Sequence, residues 1–150
     1  MKLEERFTIQ IKVGEVADVG VGPAGLRRFV QAASGTIKGA GLDAALLSGG
    51  GDWLVAGPDG HARADIRYTA VTADGAHLYI QGSGLIELNE ATQAAIGAGQ
   101  PSDFGDHYLR IVFSIETGDS RYAWLNTTVF VSEGRFREGG AIEYVVSSVN

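Results

Sequence analysis

The chain has 150 residues, 45% hydrophobic and 20% charged, a balance that belongs to a folded globular protein rather than a disordered one. Its net charge of −6 and the lack of any Lys/Arg cluster exclude nucleic-acid binding, because such a surface repels a phosphate backbone. With no cysteine, disulfides, thiolate zinc sites and a cysteine nucleophile are excluded too.

Glycine is abundant, 22 residues against 3 prolines, without low complexity. In a β-protein such glycines mark turns, bulges and corners, and here they favour a barrel. The start, MKLEERFTIQIKV, lacks the apolar core of a signal peptide, and no later run approaches a membrane span. One cytoplasmic domain over residues 1–150, without membrane contact, is the expectation.

In chain order, residues 7–13 alternate Phe7, Ile9, Ile11 and Val13 with Thr8, Gln10 and Lys12, the period of a half-buried strand. Residues 26–33 and 35–47 supply two more strands, with Gly39 and Gly41 implying a bulge or bend inside the second. Residues 53–56 lead into the turn Pro58-Asp59-Gly60, and residues 62–72 leave it. The Asp74-Gly75 turn then pairs residues 62–72 with 77–81 in a hairpin.

A short helix is predicted over residues 89–98, capped by Asn89 and ended by Gly97, Gly99 and Pro101. Residues 108–116, 122–131 and 141–149 read as three long strands, the second with mixed aromatic and polar faces. Some eight or nine strands with one helix and no βαβ alternation indicate an antiparallel all-β barrel or sandwich. The mixed faces suit an eight-stranded or slightly larger closed barrel with a partly polar lumen, its outer wall covered by the helix or by a second copy. A homo-oligomer, with a dimer favoured, follows from those faces.

Four segments carry a family resemblance: GGGDWLVAGPDG from Gly49, ADIRYTAVTADGAHLYI from Ala64, YLRIVFSIETG from Tyr108 and RYAWLNTTVFV from Arg121. They resemble the small, mainly bacterial proteins of domain of unknown function 3237, in the same order and from about residue 7 to the C-terminus. The resemblance implies a closed barrel similar to allene oxide cyclase and the dirigent proteins, and no established reaction. Where that family often has an Arg-Asn-Arg-Gly-like segment this chain has Gln81-Gly82-Ser83-Gly84, and where it has an arginine after Trp-Leu-Asn this chain has Thr127. The anion contacts implied by those arginines therefore do not carry over.

Gly20-Val21-Gly22-Pro23-Ala24-Gly25 matches G-x-G-x-x-G literally, but no helix starts there and no βαβ unit follows, so a dinucleotide site is rejected. Gly49-Gly50-Gly51 lacks the Lys and Ser/Thr of a phosphate loop and reads as a corner that places Asp52. The dispersed histidines His61, His77 and His107 read as loop residues, so no metal and no cofactor is assigned.

The chemistry-bearing candidates are Asp52, Asp65 and Glu116, strand carboxylates that would be costly if turned inward unpaired. On a solvated wall Asp65 would pair with Arg63 or Arg67, and Glu116 with Arg121. In the lumen, desolvation would raise them toward neutrality for proton transfer. Around them Trp53 and Trp124 would pack on a substrate, Tyr68 and Tyr79 would donate hydrogen bonds, and Arg110 and Asn126 would polarise a carbonyl. The leading expectation is an isomerase, cyclase or lyase using acid/base chemistry on a small, largely apolar molecule. A non-catalytic, dirigent-like ligand-binding barrel is the alternative, and a barrel packed shut as a structural subunit is the third.

Overall fold

The structure, a computed structural model, describes residues Met1–Asn150. It is a closed antiparallel barrel of eight staves with two covering pieces of helix. In chain order the strands are β1 (Leu3–Gly22), β2 (Gly25–Gly39), β3 (Leu42–Leu46), β4 (Gly51–Asp52), β5 (Val55–Ala56), β6 (His61–Thr72) and β7 (His77–Glu87). After helix α1 (Glu90–Ala98) come β8 (Leu109–Glu116), β9 (Phe130–Phe136) and β10 (Ile142–Val149). β1 pairs with both β10 and β2, which closes the ring, while β3, β4 and β5 together form one interrupted stave between β2 and β6. No helix is long and apolar enough to cross a membrane.

Three local readings of the sequence are corrected. Gly39 and Gly41 form a hairpin turn between β2 and β3, with Ala40 at φ 51°, rather than a bend inside one strand. β1 runs on to Gly22, so the G-x-G-x-x-G segment is the tip of a long β1–β2 hairpin in which Gly22 pairs with Gly25 across Pro23-Ala24. Residues 122–131 are not one strand: Ser120–Thr127 is a 3₁₀ helix and the strand begins at Phe130. There Asp119 accepts from the Arg121 N–H, and Asn126 brackets the Thr117 backbone, its Oδ1 accepting from the Thr117 N–H at 2.8 Å and its amide donating to the Thr117 carbonyl at 3.0 Å. These local caps override the β-propensity of the aromatics.

Period-2 alternation sets what points inward. On β6, Ala62, Ala64, Ile66, Tyr68 and Ala70 are buried while Arg63, Asp65, Arg67 and Thr69 face out. β7 turns Leu78 and Ile80 inward, and β8 turns Leu109, Ile111, Phe113 and Ile115 inward. α1 forms where the sequence expects it, with Asn89 Oδ1 accepting from the Thr92 N–H at 3.1 Å and Gly99 closing the helix at φ 66°. It lies over one end of the barrel beside the short 3₁₀ turn Glu138–Gly140.

Candidate functional site

At the α1 end the barrel holds a cavity of about 350 Å³. Its wall is mainly apolar: Ile11, Val13, Leu26, Val30, Ile86, Leu109, Phe136 and Ile142 from the strands, with Ala95 and Ile96 from α1. The space exists because inward positions such as Ala56 and Ala62 carry small side chains.

Asp52, Tyr68 and Tyr144 break the apolar lining. The preceding glycines bring the Asp52 carboxyl in: Gly49 turns the chain at φ 103°, and a Cβ on Gly50 or Gly51 would strike the Arg67 or Val30 carbonyl at 2.5 Å. Only a bare backbone lets β4 sit flush between β2 and β6, with Asp52 opposite Val30 on one side and Ile66 on the other. Asp52 is 8% exposed, and its Oδ1 accepts from the Asp65 N–H at 2.9 Å.

Burial pushes the Asp52 carboxyl up from 3.8 to about 6, the Asp65 N–H opposes the rise, and the Asp65 charge adds to it. Burial raises the Tyr68 phenol above its ordinary 10, and the Asp52 charge raises it further. Tyr144 is raised as well, by burial first and then by Tyr68 and Asp52. Both tyrosines therefore stay protonated and able to donate, within electrostatic reach of a carboxyl that ionises near neutrality.

Glycine also seats these rings. A Cβ on Gly134 would meet Leu109 at 2.5 Å and the Tyr144 ring at 3.1 Å, and one on Gly50 would meet the Tyr68 ring at 3.2 Å.

Of the sequence candidates, Asp52 and Tyr68 line this cavity and the others do not. Asp65 and Glu116 are on the outer wall, because they share strand parity with solvent-facing residues. Asp65 lies 3.8 Å from Arg67; Arg121 pairs with Asp74 and Asp119 instead of Glu116. Tyr79 faces outward for the same reason, and Arg110 lies outside at 3.5 Å from Glu133. Asn126 is spent on the Thr117 backbone.

Trp53 flanks Asp52 on the opposite side of the wall, tilted on Phe29 at 4.6 Å. Trp124 packs edge-on to Phe130 at the other end of the barrel, with Arg6 over its ring at 5.1 Å. His107 lies in the loop before β8 but is buried against Phe136 and shares a 2.7 Å hydrogen bond with Ser102, so it is not a solvated loop histidine.

Three residues that sequence reasoning passed over line the cavity: Tyr144, Arg28 and Gln31. For Tyr144 the signal was present but weak, since its strand carries Ile142, Tyr144, Val146 and Ser148 on one face and Glu143, Val145, Ser147 and Val149 on the other.

Residues 1–149 match the family described as protein of unknown function (DUF3237). The chain belongs to that family. A DUF3237 relative from Clostridium acetobutylicum, named a UPF0311 protein, is 30% identical over 132 residues, covering 87% of this chain and 84% of its own. A solved β-barrel-like protein of Acinetobacter baumannii superposes with a TM-score of 0.82 at 30% identity, over 99% of this chain and 96% of that one. A protein described as an enzyme from Penicillium herquei shares the DUF3237 barrel at a TM-score of 0.70 and 20% identity, over 99% of this chain and 94% of that one; at that distance the likeness is one of fold.

Proposed function

We propose that this DUF3237 barrel is an acid/base isomerase, cyclase or lyase that takes a small, largely apolar carbonyl compound into its cavity. The observation that carries the reading is Asp52, a carboxyl tuned to about 6 in an apolar cavity beside two protonated tyrosines. Ionised Asp52 removes a proton from a carbon next to the substrate carbonyl. The electron pair of that C–H bond forms the enolate C=C bond, the carbonyl π pair moves onto oxygen, and that oxygen accepts hydrogen bonds from Tyr68 and Tyr144. Return of the proton to a different carbon is an isomerisation, loss of a β-leaving group is a lyase step, and attack on a second electrophilic carbon is a cyclisation. At about 350 Å³ the cavity is at the small end of ligand sites, which fits roughly one or two fused rings.

The test uses a panel of bicyclic ketones such as 1-tetralone in D₂O, with α-proton exchange followed by NMR. The protein should accelerate exchange over buffer, and Asp52→Asn should remove about 10²-fold or more of that acceleration. Exchange that survives the substitution, or ketones that bind without exchanging, would select a carrier barrel instead. We also propose that a second copy of the chain packs on the outer wall of β7 and β8, where Leu85, Val112 and the adjoining Tyr108 are exposed; sedimentation at micromolar concentration checks it.

A further inference from the structure

Among the residues that line the cavity, Arg28 is the single cation and Asp52 the single carboxylate. Arg28 lies on β2 between Leu26 and Val30, which share its parity and also line the cavity, whereas Arg27 and Phe29 alternate to the other face. An arginine on an apolar inner face needs a reason. The carboxylate within 4 Å of it is Asp18, its cross-strand partner, at 3.6 Å with both side chains substantially exposed. Such a pair is weak and open to competition. Asp18 has a use of its own, accepting from the Gly20 N–H at 3.0 Å near the hairpin tip.

Arg28 and Asp52 also differ in setting. Asp52 is buried and Arg28 is partly exposed, so the cavity runs from a cationic rim on the β1–β2 hairpin to an acidic, phenolic floor. A guanidinium presents paired N–H donors that match a carboxylate.

Resting on the acid/base reading above, we infer that the substrate is an organic carboxylate: a compact ring body fills the cavity, its carbonyl faces Asp52, Tyr68 and Tyr144, and its carboxylate displaces Asp18 from Arg28 at the rim. The negative net charge of −6 makes this local cation more discriminating, since the rest of the surface disfavours anions.

The probes are 1-naphthaleneacetate and its neutral isostere 1-naphthaleneacetamide, titrated into the ¹⁵N-labelled chain and followed by NMR shifts at Gly14 and Gly140, which line the cavity. The acid should bind about fivefold tighter than the amide at low salt, the size expected of one half-exposed ion pair. Arg28→Gln should bring the ratio to about one without changing the amide's affinity, and Asp18→Asn, which keeps an acceptor for Gly20, should raise the acid's preference.

Equal binding of acid and amide to the unmodified chain, or a preference that survives Arg28→Gln, overturns the inference and leaves the acid/base site standing. Failure of both probes to shift Gly14 and Gly140 overturns the inference together with the cavity reading on which it rests.

Discussion

The two ends of this barrel are built from the same eight staves and come out opposite. At the end remote from α1, Phe7 and Phe130 meet at 5.3 Å, Trp124 closes on Phe130 at 6.0 Å and Leu125 of the 3₁₀ helix is buried beneath them. At the α1 end inward positions such as Ala56 and Ala62 carry small side chains, and the unfilled volume is the cavity. Strand register does not distinguish the ends; side-chain volume does. One end uses aromatic area for stability, and the other gives that area up to admit a ligand and hold a carboxyl half out of water.

The largest effect expected from breaking this contrast is at the filled end. Phe130→Ala removes a fully buried ring that touches Phe7 and Trp124, and should cost about 3–5 kcal/mol in urea unfolding. A loss under about 1 kcal/mol would mean that this end is no better packed than the other.

At the open end the strain is electrostatic. The Asp52 carboxyl is raised from 3.8 to about 6, so the folded state holds this proton more tightly than the unfolded chain does. Its contribution to stability is complete below about pH 3.8 and is lost as pH rises through about 6. That shift is worth roughly 3 kcal/mol at most. Asp52→Asn, which keeps an acceptor for the Asp65 N–H, should therefore stabilise the chain above pH 7 and leave it unchanged near pH 3.5. Thermal melts across that range check the sign, and a variant destabilised at high pH would show that the charged carboxylate is welcome where it sits.

Filling the open end should trade ligand for stability. Ala62→Leu places a larger side chain in the cavity and should add about 0.5–1 kcal/mol while abolishing probe binding. If it destabilises the chain by overpacking, the space is too tight for a ring.

The barrel itself was legible because it rests on local signals: alternation in residues 62–72 and 108–116, the Asp74-Gly75 turn, and the Asn89 cap with Gly99. Inward parity on β6 was left open, and the lumen reading put Asp65 beside Tyr68 although the two alternate: Ala62, Ala64, Ile66 and Tyr68 share the buried face, and Arg63, Asp65 and Arg67 the exposed one. What could not be read was which segments meet across the barrel. Tyr144 and Arg28 join Asp52 through pairings of β2 and closure of the ring, neither of which leaves a trace in local pattern. The 3₁₀ segment failed differently: Asp119 and Asn126 hold it by side-chain to backbone bonds, and its aromatics alone look like a strand.

The finest division is between two acids a few residues from the same wall. Asp65 offers Asp52 its backbone N–H, which favours the carboxylate, and its own charge, which disfavours it. Asp65→Asn removes the charge and keeps the N–H. The Asp52 midpoint, followed through its ¹³C carboxyl resonance, should move down slightly from about 6, with stability within about 0.5 kcal/mol of the unmodified chain. Glu116→Gln, on the outer face of β8, should leave that midpoint where it was. If Asp65→Asn also leaves it unmoved, the wall screens the floor of the cavity completely, and burial alone sets the Asp52 proton.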